Sequence, residues 1–389
     1  MIQDIFVENG FRFCDLCGSE KFSILLDING KVMTSDQKIT DGHIQKIECF
    51  KCGLVRNAVE YKNEFLKQKY EKNYEYNSSS SGDVFFFAAD GNLNRSSYSY
   101  NWIRSFLPLD VINKANSILE VGCGEGNLLL KFKQNFPNKK IIGLEVNKKA
   151  IVVGRKKGLD IREIKNCGDI KSDLIISYAV IEHTVSPKHF LKYLQSFLNP
   201  GGYILLGTPH QNRIYYDIFF ADHLYHFNIT HLRQYAKSVG LICIKQSRGM
   251  WPINSFSLNL FQKSPKKIKS SIRYSRTKVA DSIRHYNHIF GIINNFLKKN
   301  NTNKLAVFGL GEVFSLFFTY TDLKKKKIAY GIDDFPKTKN NFSFPIIPSN
   351  EIIYHNISKI LICVNKNYYD LILKKIPSKK YKICLPLNH

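Results

Sequence analysis

The chain has 389 residues, enough for two or three domains of ~100–200 residues each, so one small module is excluded. Hydrophobic residues at 44% and charged residues at 23% are globular proportions, which exclude wholesale disorder. The formal charge of +25 raises a nucleic-acid partner, but 12 of the 57 basic residues are Arg and the Lys are scattered among Asn and Ile, as in a compositional bias rather than a phosphate-reading face.

No apolar run approaches the ~18 residues of a membrane-spanning helix. The segment from Met1 to Cys17 lacks a basic leader and a continuous apolar core, so the expected compartment is the cytoplasm, with no membrane partner. Cys14-x-x-Cys17 and Cys49-x-x-Cys52 form two knuckles, each followed by glycine. Two knuckles supply four thiolates to one closed tetrahedral site, the pattern of a structural zinc ribbon. The 31 residues between them hold a hairpin, with Asn29-Gly30 as its turn signal. Cys123, Cys167, Cys243, Cys363 and Cys384 are isolated and read mainly as packing residues.

Residues 58–70 are expected to be helical. They lead to Tyr74, Tyr76 and the run Ser78 to Ser81, which reads either as a linker or as an aromatic wall of a pocket. From Ser117 an apolar strand breaks into Gly122, Gly124 and Gly126 before a helical run, and the next strand, 140–144, leads to Glu145. A glycine turn followed 23 residues after Gly122 by a strand-end carboxylate implies an adenosine-bearing cofactor. Glu120 opens the pattern E-x-G-x-G-x-G. A strand at 173–177, the segment Tyr178 to His183, a helix at 187–198, the run Asn199-Pro200-Gly201-Gly202-Tyr203 and Thr208-Pro209-His210 follow in order.

This order resembles the class I S-adenosylmethionine-dependent methyltransferases. The resemblance implies S-adenosylmethionine as cofactor, held by Glu120, Gly122, Cys123, Gly124, Gly126 and Glu145. Asp169, on the loop after the third strand, and Tyr178, after the fourth, are further candidates. Glu182-His183 reads equally as a cofactor-facing pair or a structural cap.

The segment from Tyr215 to Phe227 concentrates Asp, His and Tyr, and His is the side chain best poised to accept a proton near neutral pH. His223 is the first candidate base, Asp222 the second catalytic candidate and His226 the third, with Thr230 expected to cap a helix over 231–239. Two knuckles, a Tyr/Ser connector, a methyltransferase domain, the segment Asp222 to Phe227 and a last α/β domain together resemble the nucleotide-sugar C-methyltransferases of deoxysugar biosynthesis. The resemblance implies that His223 removes a proton beside a ketone, that Asp222 stands in the place of the family's glutamate, and that Tyr74, Tyr76 and Tyr225 lie near the sugar. Phe220 departs from the tyrosine of many members. A sugar O-methyltransferase stays open. So, from another class, does a zinc-ribbon RNA-binding protein or RNA methyltransferase, although no basic-aromatic face supports nucleic acid as the partner.

Residues 265–300 read as a long basic amphipathic helix with Ser264 as its cap. Leu305 to Glu312 forms a second strand and glycine turn, and 328–332 ends in Asp333-Asp334, so a second Rossmann-like half is expected. The expected architecture is α/β: a zinc-ribbon-like module at 1–75, a class I methyltransferase domain at 76–262, a helical connector at 263–300 and a smaller Rossmann-like, substrate-flanking domain at 301–389. Oligomeric state is not legible.

Overall fold

The computed structural model describes residues 13–58, 70–71, 85–88, 91–250, 253–265, 271–298, 304–334, 342–377 and 380–388, with backbone alone at 85–88 and 91–93. By contacts the chain divides into two compact units. The first holds the residues up to Asp27, Gln45–Ile218 and Asp222–Ala280; the second holds Ile28–Ile44, Phe219–Ala221 and Asp281–His389.

Strands β1 (Phe22–Met33) and β2 (Ile39–Cys49) begin and end beside the knuckles in the first unit while their residues Ile28–Ile44 belong to the second, and β3 (Val55–Asn57) follows in the first. β2 and β3 pair antiparallel, Ile47 opposite Arg56. A short hairpin, β4 (Phe85–Ala88) and β5 (Gly91–Asn94), precedes α1 (Arg95–Phe106) and α2 (Leu109–Lys114). Then strands and helices alternate: β6 (Ser117–Val121), α3 (Asn127–Asn135), β7 (Lys140–Glu145), α4 (Lys148–Lys156), β8 (Asp160–Glu163), β9 (Ser172–Tyr178), α5 (Pro187–Ser196) and β10 (Leu198–Pro209). After β11 (Tyr225–His226) and α6 (Ile229–Ser238), β12 (Leu241–Arg248) and β13 (Phe256–Lys263) close the sheet.

That sheet has seven strands in the order β12-β13-β10-β9-β6-β7-β8. β6 through β10 run parallel and β13 antiparallel to β10. Helices cover such a sheet on both faces, so its central strands carry nearly continuous apolar runs; in β6 every residue after Ser117 is buried. Strand order reverses between β6 and β9, and ligands of open parallel sheets bind outside the strand C-termini at such a switch point. β11 adds to the small sheet beside β3, Tyr225 opposite Arg56, which fixes the chain just after His223.

The second unit packs α7 (Val279–Lys298) and α8 (Glu312–Tyr320) with a five-stranded parallel sheet. Its strands are β14 (Leu305–Phe308), β15 (Ile328–Ile332), β16 (Ile346–Ile347), β17 (Lys359–Ile362) and β18 (Lys382–Cys384), and α9 (Tyr369–Lys375) precedes the last. The strand order is β16-β15-β14-β17-β18, with every pair parallel. Ile283, Ile289, Ile293 and Leu297 form a buried stripe on α7 at helical spacing. The Tyr320 hydroxyl donates to the Phe219 carbonyl at 2.6 Å and accepts from Met33 N at 3.1 Å, which ties the hairpin tip and Phe219–Ala221 into this unit.

Three local expectations are corrected. The first hairpin turns at Thr34 to Lys38, where Thr34 N donates to the Lys38 carbonyl at 3.0 Å and Gln37 takes φ +66°; Asn29-Gly30 stays inside β1. Continuing the strand past Gly30 buries Val32 and Met33, which a turn at 29–30 would have displaced. The helix expected over 265–300 is not formed at 271–278, which is non-helical up to α7, and residues 266–270 and 299–300 lie outside the described residues. Ser275 N donates to the Cys52 carbonyl, and Asn228 Nδ2 donates to the Ser275 and Arg276 carbonyls, so this backbone is engaged elsewhere. Asn228, not Thr230, caps α6 in a capping box with His231, an arrangement worth about 1 kcal/mol. Of the helix expected at 58–70, Ala58 and Tyr70 alone lie among the described residues, and Ala58 is not helical.

Candidate functional site

The four knuckle sulfurs converge. Cys14 Sγ lies 3.6 Å from Cys52 Sγ, Cys17 Sγ lies 3.5 Å from Cys49 Sγ, and all four fall within 4.8 Å of one another. Thiolates held at ~2.3 Å around a tetrahedral zinc ion stand about 3.8 Å apart, so the donor set and its spacing fit that ion. Gly18 and Gly53 take φ +72° and +75°, and their N–H groups donate back to the Cys14 and Cys49 carbonyls, closing each knuckle turn. The hydrogen bond with Cys49, reinforced by burial and opposed by Cys52, pushes the Cys14 thiol up to about 12, while hydrogen bonds from Cys14 and Cys52 hold Cys49 far below the ordinary thiol range.

At the switch point, Gly122 has φ +79° and a Cβ there would lie 2.4 Å from Val180 Cγ2, so no larger residue fits the turn. Glu145 binds this turn directly: one carboxylate oxygen accepts from Gly124 N at 2.7 Å, the other from Val146 N and Asn147 N. Glu120 is buried with Oε2 lacking a partner, and burial together with the Glu145 charge raises its carboxyl well above the usual range. The glycine cradle and the orphaned carboxylate oxygen fit a ligand carrying cationic and hydrogen-bond-donating groups. Cys123 is buried beside the same carboxylates, whereas Asp169 is exposed past Gly168. The Tyr178 ring stacks on Phe256 with centroids 5.1 Å apart and crosses Gly207; its buried hydroxyl lacks a hydrogen-bond partner.

The acid–base candidates cluster, with a different pairing from the one their sequence suggests. His223 Nδ1 donates to Oδ2 of Asp217, not of Asp222, at 3.2 Å. Gln211 Nε2 donates to the other Asp217 oxygen at 2.8 Å, and His226 Nδ1 lies 3.5 Å from Oδ2. Burial opposes ionisation of Asp217, but hydrogen bonds and charge from His223 and His226 more than reverse this and hold it far below the carboxylate range. Burial likewise opposes the His223 cation, and Asp217 outweighs it, so His223 titrates above an ordinary histidine. Burial and the Lys46 charge push His226 down to about 4.

Asp222 faces another group. Tyr70 donates to Asp222 Oδ2 at 3.3 Å, and His183 Nδ1 lies 2.8 Å from both the Tyr70 oxygen and the Asp222 carbonyl. The His183 and His223 rings meet edge to face at 4.7 Å, which joins the two groups. Glu182 accepts from Thr208 with one oxygen and keeps the other buried without a partner; one donor atom each from Glu182, His183 and His223 lies within 4.8 Å of the others. Lys46, wholly buried on β2, donates to the His223 carbonyl at 2.8 Å, and burial pushes its ammonium down to about 7 against the pull of Asp217 and Asp222. Tyr225 is buried and donates to the Val185 carbonyl at 3.0 Å. Tyr74 and Tyr76 lie outside the described residues.

Asp217, Lys46 and Tyr70 thus join the cluster without having been singled out as site residues, whereas His183 was named only as part of a cofactor-facing pair or a cap. Of these, Asp217 was the most legible, being six residues before a histidine in the same Asp/His-rich segment.

Residues 94–246 match the family model of the methyltransferase domain. The seven-stranded region is a class I S-adenosylmethionine-dependent methyltransferase domain. A mitochondrial ubiquinone biosynthesis O-methyltransferase of Dictyostelium discoideum is 30% identical over 130 residues, 28% of this chain and 39% of that protein. Malonyl-[acyl-carrier protein] O-methyltransferase 2 of Ilyobacter polytropus is 35% identical over 100 residues, 24% of this chain and 39% of that protein. The chain spans about two fifths of the length of these curated relatives. A solved S-adenosylmethionine-dependent methyltransferase from Clostridium acetobutylicum is 13% identical, covering 44% of this chain and 92% of its own at a TM-score of 0.34.

Proposed function

We propose that the protein transfers a methyl group from S-adenosylmethionine to carbon in a nucleotide-linked keto-deoxysugar. The observation that carries this reading is the buried Asp217–His223 pair close to Glu182 and His183 at the end of β9. A proton beside a ketone is weakly acidic, and a histidine raised in basicity by a buried carboxylate is suited to take it. When bound, S-adenosylmethionine supplies an electrophilic methyl group on a sulfonium. The Gly122–Gly124 backbone and Glu145 would hold its adenosine part, and Glu120 would face its amino-acid end. In this reading His223 removes the proton, and Asp217 orients the ring and stabilises its cation.

Sugar O-methylation is the second reading, favoured by the names of the curated relatives, both O-methyltransferases. In that case His223 deprotonates a hydroxyl. The deciding experiment mixes the protein with S-adenosylhomocysteine and nucleotide-linked 4-keto-6-deoxysugars in D2O and follows the ring protons by NMR. Enzyme-dependent exchange beside the ketone supports carbon-acid chemistry; its absence with sugar binding confirmed overturns C-methylation.

The four-sulfur site is read as a structural zinc centre, with no role for the ion in the reaction. Elemental analysis of freshly purified protein is expected to give one zinc per chain, falling to near zero in Cys49→Ser. Metal-free wild-type protein with an unchanged melting temperature would overturn this assignment.

A further inference from the structure

The C-terminal edge of the seven-stranded sheet carries a second cluster that neither the glycine turn nor His223 uses. Arg is the scarce cation of this chain, 12 of 57 basic residues, yet two arginines meet at one turn. His210 follows β10 and its backbone N–H donates to the Ser255 carbonyl at 2.8 Å. Arg213 Nη1 donates to the neighbouring Asn254 carbonyl at 3.1 Å. Arg248 ends β12 opposite Ser257, and Gly249 N donates to the Phe256 carbonyl at 2.8 Å. At the same turn, the Arg95 guanidinium lies 5.6 Å from the centroid of the Phe256 ring.

Among the described residues none of these three arginines makes an ion pair. His210 is 2% exposed, and its Nε2 makes no hydrogen bond, although the Asn254 carbonyl faces the ring. Asn212 N donates to His210 Nδ1 at 3.3 Å, so in the neutral ring Nε2 carries the hydrogen and is a donor. Arg213 Nε is a second buried donor without a partner. Buried donors beside unpaired guanidinium groups are costly unless an anion completes them. Burial first, and then the charges of Arg248 and Arg213, push His210 down to about 4 against the opposing pull of the Asn254 carbonyl and Asp217, so both guanidinium groups act on this ring.

We propose that His210, Arg213 and Arg248 form a binding subsite for a phosphate or diphosphate group of the acceptor substrate, with Arg95 at its rim. Guanidinium forks match phosphate oxygens in pairs, and the buried His210 N–H adds a directional donor. The subsite continues directly into the acid–base cluster, because Gln211, next in sequence to His210, donates to the carboxylate that holds His223. The inference rests on the reading of that cluster as the acceptor site and adds to it the group by which the acceptor is anchored.

The test is calorimetric titration of the full chain, loaded with S-adenosylhomocysteine, with uridine diphosphate and with inorganic pyrophosphate. Arg213→Gln and Arg248→Gln are each expected to weaken both probes by about tenfold or more, as for loss of a charged hydrogen bond, while S-adenosylhomocysteine affinity in the same samples stays unchanged. Unchanged probe affinity in both variants, or no binding of either probe to the wild type, overturns the subsite. Tighter, salt-dependent binding of single-stranded RNA, lost in the same variants, also overturns it in favour of a nucleic-acid surface. If the probes bind and the variants lose them while no keto sugar exchanges in D2O, the anion subsite stands and the sugar reading falls. If exchange occurs and the variants bind diphosphate normally, the sugar reading stands and the subsite falls.

Discussion

The two α/β halves of this chain share one backbone device. In each, an apolar strand ends in a glycine turn that starts a helix, and a carboxylate after the next strand accepts from a turn N–H: Glu145 from Gly124 at 2.7 Å, Asp333 from Leu310 at 2.9 Å. The difference lies in what surrounds it. The middle turn has three glycines with positive φ and a second buried carboxylate, Glu120, and its sheet edge carries the Asp217–His223 pair. The C-terminal turn has positive φ at Gly309 alone, and α8 beyond it is largely buried apolar surface. A strand and glycine turn therefore set up a fold; unsatisfied polar atoms around the turn distinguish the half built for a ligand.

The largest effect should fall on the acid–base edge. His223→Ala is expected to lower turnover about 100- to 10,000-fold with S-adenosylhomocysteine binding retained; full turnover in the folded variant would remove this edge from the chemistry. The contrast between the turns is sharpened by paired substitutions. Gly122→Ala forces a Cβ into left-handed backbone against Val180, at about 1–2 kcal/mol for the backbone alone, and should weaken S-adenosylhomocysteine. Gly309→Ala meets Val364 Cγ1 at 2.3 Å with φ +85° and should lower the melting temperature while leaving that affinity intact. Equal loss of affinity in both would break the comparison.

The smallest effect is a pH shift. His223 acts as a base only when neutral, so turnover rises with pH through its pKa, which Asp217 raises above the ordinary value. Asp217→Asn removes the negative charge that stabilises the cation, so the rising limb should move to lower pH. Asp222→Asn should move it less, because the direct hydrogen bond to His223 comes from Asp217. The pH dependence of kcat in the two variants checks the order.

Much of this was legible because certain residues admit few structures. Ser117 to Gly126 could be read because a central parallel strand is continuously apolar and the turn needs glycine. The knuckles could be read because CxxC brings two thiols to one point. The turn at Thr34 to Lys38 was hidden by a stronger local signal at Asn29-Gly30, and the burial of Val32 and Met33 decided otherwise. Asp222 adjoins His223 in sequence, yet the His223 ring hydrogen-bonds to Asp217. Consecutive side chains on non-helical backbone diverge, and the turn at Tyr216–Phe219 brings Asp217 to the ring instead. Lys46 gives no sequence signal, since nothing local distinguishes a buried lysine from the many exposed ones.

The Cys52 carbonyl accepts from the Ser275 N–H at 3.0 Å and from His231 Nε2 at 2.9 Å, while Nδ1 of the same ring completes the capping box of α6. One carbonyl of a sulfur-bearing turn thus serves as the junction of three distant stretches of chain. Oxidation of a knuckle thiol is then more than local damage. As that turn opens, the Ser275 amide should lose its protection against deuterium exchange together with the first turn of α6, so oxidative stress at the thiols would be read out as fraying in the segment that follows His223.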